Sequence, residues 1–296
     1  MASSNALFPA DGNSGVILDQ NGLILRCERR METSVRDSDT CVMLRNSVFL
    51  VSLLFLTAVS GLCADDSIPA GTILPVGLNS TLSSTKCKPG QVITARVMQD
   101  LPPRKRMVIR SGAKVIGHIL HVTAGSNGTP ASLSFRFDTL ETRDGQHSVT
   151  TGLRAIASFT AVHRAQLPRG GADRGTPETA WTTVQIGGDI VYRGGGHVEA
   201  HGERVGKPVN GGVLSRLRWN PDRGCQSGFD ATEVLQALWV FSSDACGTYD
   251  LPNLQIRRSG LAKPVGEITL DSSKGPLNVR AGAGLLLAVY GSAPSN

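Results

Sequence analysis

The octapeptide SLSFRFDT, Ser132 to Thr139, alternates without a break. Leu133, Phe135, Phe137 and Thr139 fall on one side of an extended chain, and Ser132, Ser134, Arg136 and Asp138 on the other. A period of two commits this stretch to a half-buried β-strand, and the same texture recurs along the chain. GQVITARVMQDL sets Ile93, Ala95 and Val97 against Val92, Thr94, Arg96 and Met98, and VIRSGAKVIGHILHV reads as two β-rich pieces broken at Ser111-Gly112. In HILH a regular strand sends His118 and His121 to opposite faces. GQHSVTTGL follows the turn signal Arg143 to Gly145. No helical stripe longer than about three turns stands out, although DATEVLQAL predicts a short helix capped by Asp230 with Glu233 at the capping-box position. With 34 glycines and 15 prolines in 296 residues, turns are favoured, and the expected class is mainly β with little helix.

From about Arg154 to Arg223 the texture changes. PRGGADRGTPETAW, GGDIVYRGGGHVEAHG and GKPVNGG interrupt short strands around Thr182 to Ile186 and Ile190 to Tyr192, which predicts a Gly-rich, loop-rich insertion at 154–223. Regular structure resumes with VLSRLRW, ALWVFSS, VGEITLD and LNVRAGAGLLLAVYG, where Leu285 to Tyr290 is apolar enough for a central strand. The expected order is the first part of a β-barrel at 65–153, the insertion, then the remaining strands at 224–296.

An apolar run precedes all of this. MLRN from Met43 supplies a short basic n-region, Val48 to Val59 an apolar core, and Ala58-Val59-Ser60 or the later Leu-Cys-Ala ending at Ala64 a small-residue cleavage site, the order of a signal peptide at 43–64. Two explanations of residues 1–42 stay open. Either Met43 is the true start, or the segment is an uncleaved signal anchor whose flanking Arg26, Arg29, Arg30, Arg36 and Arg45 hold the N-terminus inside. Both place the remainder outside the cytoplasm, periplasmic or secreted. Cys225 and Cys246 bracket a moderate loop and are the best candidate disulfide, against the alternative of two buried thiols, and Cys87 is left over.

From Asp65 onward 25 Lys/Arg stand against 18 Asp/Glu, and 25 − 18 gives +7, a balance that attracts anionic surfaces or serves only solubility. The sharpest cluster is Arg104, Lys105 and Arg106, a basic tip before a strand. Aromatic stacking platforms are not interleaved with it, so specific nucleic-acid recognition is not expected. In HVEAH, residues i, i+2 and i+4 of a strand share a face, so His197, Glu199 and His201 are a candidate metal set, against a solvent-exposed polar hairpin. Gly-x-Ser-x-Gly and CxxC are absent, Gly194 to Gly196 lack the helix and Lys-Ser/Thr of a phosphate loop, and no cofactor is implied. Asp173, Arg174, Trp181 and Tyr192 sit in the insertion, where ordered loops on a β scaffold carry recognition. Trp219 and Trp239 lie beside it, and these aromatics either fill a core or line a groove.

IPAGTILPVGLNSTL, GQVITARVMQDL, IRSGAKVIGHI and SLSFRFDTL, in that order, resemble the C-terminal β-barrel domain of TrbI-type conjugal-transfer channel proteins of type IV secretion. The resemblance spans about Ile68 to Leu153 and implies a TrbI-like barrel, with VRAGAGLLLAVYG as the strand that returns to close it. The chain departs from that family in lacking the long Pro-rich linker after the membrane anchor and the apolar helical antenna. Over its whole length, including GTPETAWTTVQIGGDIVYRGGG and QALWVFSSDACGTY, it also resembles an uncharacterised group of secreted proteins of acidobacterial type. The expectation is therefore an exported, non-catalytic binding or structural component of the cell envelope or secretion apparatus. Its partners would be envelope proteins or an anionic polymer, and a membrane only if the signal segment stays uncleaved. A secreted metal-dependent hydrolase and an anchored subunit of a type IV-like machine are the alternatives.

Overall fold

The computed structural model describes residues 68–291 except 104–106, 127, 172, 224 and 226–231. The export segment, the basic tip Arg104, Lys105 and Arg106, and the Asp230 cap lie outside the described residues. In chain order the elements begin with β1 (Ile73–Leu78), β2 (Leu82–Ser83), β3 (Val92–Val97), β4 (Lys114–Thr123), β5 (Ala131–Thr142), β6 (Gly145–Ser148) and β7 (Thr150–Ala157). After helix α1 (Phe159–Gln166) come β8 (Thr182–Val184), β9 (Ile190–Tyr192), β10 (His197–Ala200), β11 (Glu203–Val209), β12 (Gly212–Leu217) and β13 (Thr232–Ala237). The chain continues with β14 (Gly247–Tyr249), β15 (Leu254–Ser259), β16 (Ile268–Ser272), β17 (Asn278–Val279) and β18 (Gly284–Gly291). The protein is mainly β.

The largest sheet runs β14-β7-β18-β1-β3-β4-β5-β16-β15, with β6 paired to β5. β6 continues through Val149 into β7, and the Val149 N–H donates to Asp138 O of β5 at 2.9 Å. Thr151 Oγ1 donates to Phe137 O one step further on. Pairing therefore passes from β1 through β3, β4, β5, β6 and β7 to β18 and back to β1, closing a barrel. β5 is the branch point: Ala131 to Phe135 pair with β16, and Thr139 to Thr142 pair with β6. β15 and β16 consequently leave the ring as a flap.

Alternation survives where only one face is covered. In β3, Ile93, Ala95 and Val97 are buried while Val92 and Arg96 are exposed, and β5 buries Leu133, Phe135 and Phe137. In β1 every residue is buried. The cause is a second layer: Leu74, Val76, Leu153, Leu285 and Leu287 fill the barrel, whereas Ile73, Ala155, Leu286 and Ala288 point outward into a second core. Gly117 of β4 lets the β5 backbone come close, because a Cβ there would overlap the Arg136 carbonyl oxygen.

The second core lies under the Gly-rich segment, and here the structure corrects the expected loop-rich insertion. Its glycines are turns of an antiparallel meander, β13-β12-β11-β10-β9-β8, whose inner face (Val191, Val198, Val205, Leu217) packs on the barrel. The insertion cannot begin at Arg154, which lies within β7, nor end at Arg223, since β13 is the meander's last strand. The predicted helix in DATEVLQAL is also corrected: Thr232 to Ala237 pair with β12, as the ladder hydrogen bonds of a sheet edge demand. ALWVFSS leaves the strand at Ala237 and turns inward, so that Trp239 has φ 53 and is 5% exposed. That costly backbone state is held by Gln99, fully buried, whose Oε1 accepts the Trp239 N–H at 2.7 Å and whose Nε2 donates to Val213 O at 2.9 Å. Helix α1 starts at Ser158, whose hydroxyl accepts the Ala161 N–H, and buries Val162 and Ala165.

Candidate functional site

His197 and Glu199 share the outer face of β10, with Nε2 4.0 Å from Oε2, and Tyr192 stacks on the His197 ring at 4.7 Å. His201 does not join them. β10 ends at Ala200, His201 takes φ 51 in the turn to β11, and its Nε2 lies 3.9 Å from Asp244. Among the described residues no group of three or more His, Cys, Asp or Glu side chains is placed to hold a metal ion. Trp181 and Tyr192 both lie at the far edge of the meander, where the Arg193 N–H donates to Trp181 O. Asp173 and Arg174 are exposed in a neighbouring turn closed by the Thr176 N–H on Asp173 O. Trp239 is core and Trp219 is 53% exposed. Gly194 to Gly196 form the β9–β10 turn.

Cys225 and Cys246 are joined, with Cα atoms 5.4 Å apart. Around this bond lies a polar node that serves the fold. Buried Arg154 donates to Ala245 O and Arg218 O, and Asp244 accepts from Ser242 Oγ and Asn220 Nδ2. Asp189, 3% exposed, accepts the Ser243 N–H at 2.7 Å. Burial pushes its carboxyl above the ordinary carboxylate value, with the nearby Asp244 adding to the rise and the Ser243 hydrogen bond opposing it.

Among the described residues the two ends of the barrel differ in how their charges are paired. At the end where Ile68 enters, two described cations are paired with acids: Arg110 with Asp100 at 3.2 Å and Lys114 with Glu141 at 3.5 Å. The Ser111 N–H, aided by Arg110, holds the Asp100 carboxyl below its usual range. A cleft of about 620 Å³ there is lined by residues of both signs.

At the opposite end three loops contain no acid, 79–91, 124–130 and 273–283, and beside them the β14–β15 turn carries Asp250, paired with Arg164 at 3.4 Å. β2 pairs with β17 across the barrel mouth. The Ser84 N–H donates to Leu277 O, Ser84 Oγ donates to Ala124 O and accepts the Leu277 N–H, and the Ala281 N–H donates to Thr81 Oγ1. Leu82, Leu277 and Val279 plug the mouth. Cys87 is buried in the same turn, its sulfur accepting the Ser83 N–H at 3.3 Å, so the leftover thiol is part of the scaffold. On the outside stand Lys86, Lys88, Lys274 and Arg280, all exposed. None of the four is in an ion pair among the described residues. Arg280 rests over the Phe159 ring at 5.8 Å.

The sequence reading missed this cap, although its signal is there: between Asp66 and Asp138 the chain has a single acid, Asp100, and after Asp271 it has none. Four unneutralised cations on a hydrogen-bonded platform create a one-signed field that draws polyanions. The three lysine ammonium groups, on flexible stems, act there as point charges, and Arg280 adds one planar fork. Comparison with known protein families, with characterised proteins and with solved structures finds no match to this chain.

Proposed function

We propose that this chain is an exported, non-catalytic β-barrel protein of the cell envelope or secretion apparatus that binds an anionic polymer through the cap at the closed mouth of its barrel. The observation that carries this reading is the cap itself: Lys86, Lys88, Lys274 and Arg280 are exposed on acid-free loops and none is in an ion pair among the described residues, whereas Arg110 and Lys114 at the other end pair with Asp100 and Glu141. The apolar run before Asp65 and the Cys225–Cys246 bond support export, since such bonds persist in oxidising compartments. The order of the β1, β3, β4 and β5 motifs, and the return of β18 beside β1, support a TrbI-like barrel.

The test is binding of fluorescent polygalacturonate to the exported chain at several salt concentrations. Lys86→Glu, Lys88→Glu and Lys274→Glu together should weaken binding by about thirtyfold or more and flatten the salt dependence. Arg143→Glu, Arg169→Glu and Lys207→Glu, with the same change in net charge, should cost less than about threefold. Equal losses in the two triple variants would reject the cap.

A further inference from the structure

A cleft of about 510 Å³ lies on the barrel wall directly below the cap, lined among others by Gly90, His118, Leu120, His121, Arg136 and Val265. Its two histidines correct the expectation that they face opposite sides. The ladder between β4 and β5 shifts register between Ile119 and His121, so Leu120 is an extra residue and both imidazoles reach the outer face. Loop 86–91 is clamped to this wall: the Gly90 N–H donates to Ile119 O at 2.8 Å and the Ile119 N–H donates to Gln91 O at 2.9 Å. Lys88 therefore stands two residues from the cleft rim.

Asp138 accepts from Arg136 Nε at 3.0 Å and lies 3.0 Å from His118 Nδ1. Both side chains are thereby oriented, and the His118 Nε2 edge and the terminal nitrogens of Arg136 remain available to a ligand. The opposite wall is the β15–β16 loop, with Pro264, Val265 at 52% exposure, and Glu267 as the one acid lining the cleft. Leu120 and Val265 offer apolar surface, the imidazoles and Glu267 offer donors and acceptors, and Arg136 offers a cation. The cleft falls in the size range of small-molecule sites, about 300–1,000 Å³.

We propose that this cleft binds sugar units of an acidic oligosaccharide whose chain continues onto the cap, an inference that rests on the cap's reading as a polyanion site. A sugar acid needs all three features at once: an apolar surface for its C–H face, paired donors and acceptors for its hydroxyls, and a cation for its carboxylate. Single-stranded nucleic acid would ask for exposed aromatic rings to stack its bases. The cleft's described lining has no Phe, Tyr or Trp, and of its two imidazoles His118 is engaged by Asp138. A flat lipid surface would leave the cleft unused.

The exported chain is titrated with a galacturonate oligomer, with polyphosphate of matched charge, and with an oligodeoxynucleotide of matched charge. Two cleft variants are compared with the triple cap reversal: His121→Gln with Arg136→Gln, and Val265→Glu on the exposed loop, which leaves the barrel ladder untouched. Both cleft variants should weaken the galacturonate oligomer by about tenfold and leave polyphosphate within about twofold, while the cap reversal weakens both. Cleft variants that alter neither ligand, or both equally, overturn the sugar assignment. So does an oligodeoxynucleotide that binds as tightly as the sugar acid and loses as much in the cleft variants. If the cap reversal has no effect while the cleft variants still lose the sugar, the cap reading fails and the cleft stands alone.

Discussion

Asp189 is the side chain whose ionisation bears most directly on stability. Its folded pKa lies above the ordinary 3.8, chiefly because burial penalises the charged form. The native chain thus keeps this proton to a higher pH than the unfolded chain does. Its contribution is fullest below about 3.8 and declines as pH rises through the folded value. Asp189→Asn retains an oxygen to accept the Ser243 N–H and cannot ionise. Its urea midpoint should therefore change less between about pH 4 and about pH 7 than that of the parent. A parent whose midpoint falls no more steeply than the variant's would reject the assignment. At this scale the sequence is a partial guide. His197 and Glu199 share a face because β10 is regular between them, whereas His201 leaves that face because a positive φ ends the strand. His118 and His121 share one because a bulge intervenes, and no residue in HILH marks it.

Among the elements, the meander is held by its apolar inner face and by connections that include the Gln99 bridge and the Cys225–Cys246 bond. The bond closes a loop with a sequence separation of 21, which in the chain-entropy account stabilises the folded state by about 3 kcal/mol. Cys225→Ser with Cys246→Ser should lower the unfolding free energy by roughly that amount in urea titrations, with no change in polygalacturonate binding at the cap. Loss of binding along with stability would mean that meander and cap are coupled. Strands with one dry face were legible from alternation, as β3 and β5 show. β1, β7 and β18 lose alternation because the meander buries their outer face, a tertiary fact that a local pattern cannot carry. The Gly-rich segment read as loops because its strands, three to seven residues long, are shorter than the window in which periodicity shows. The cap was legible only as an acid-free stretch, since nothing local says that 79–91 and 273–283 meet.

For the whole molecule, export is the reading that a single preparation can decide. Expressed from its full frame in a Gram-negative host, the protein should be recovered outside the cytoplasm with an N-terminus near Gly61 or Asp65 by mass spectrometry. When cleaved before Asp65 it should show one titratable thiol, Cys87, after denaturation without reductant. An intact chain in the membrane fraction would favour the anchored alternative instead, and three thiols in the cleaved chain would deny the oxidising compartment. The ring of strands has one more implication, and it concerns time. β1 and β18 are neighbours in space, Ile73 opposite Ala288, yet stand at opposite ends of the described sequence. The barrel therefore has no seam that can close early. Until the last strand has emerged, β1 lacks one edge partner, and such long-range pairing makes folding slow. A chain built this way cannot complete its ring of pairing before β18 is present, however early its other strands meet.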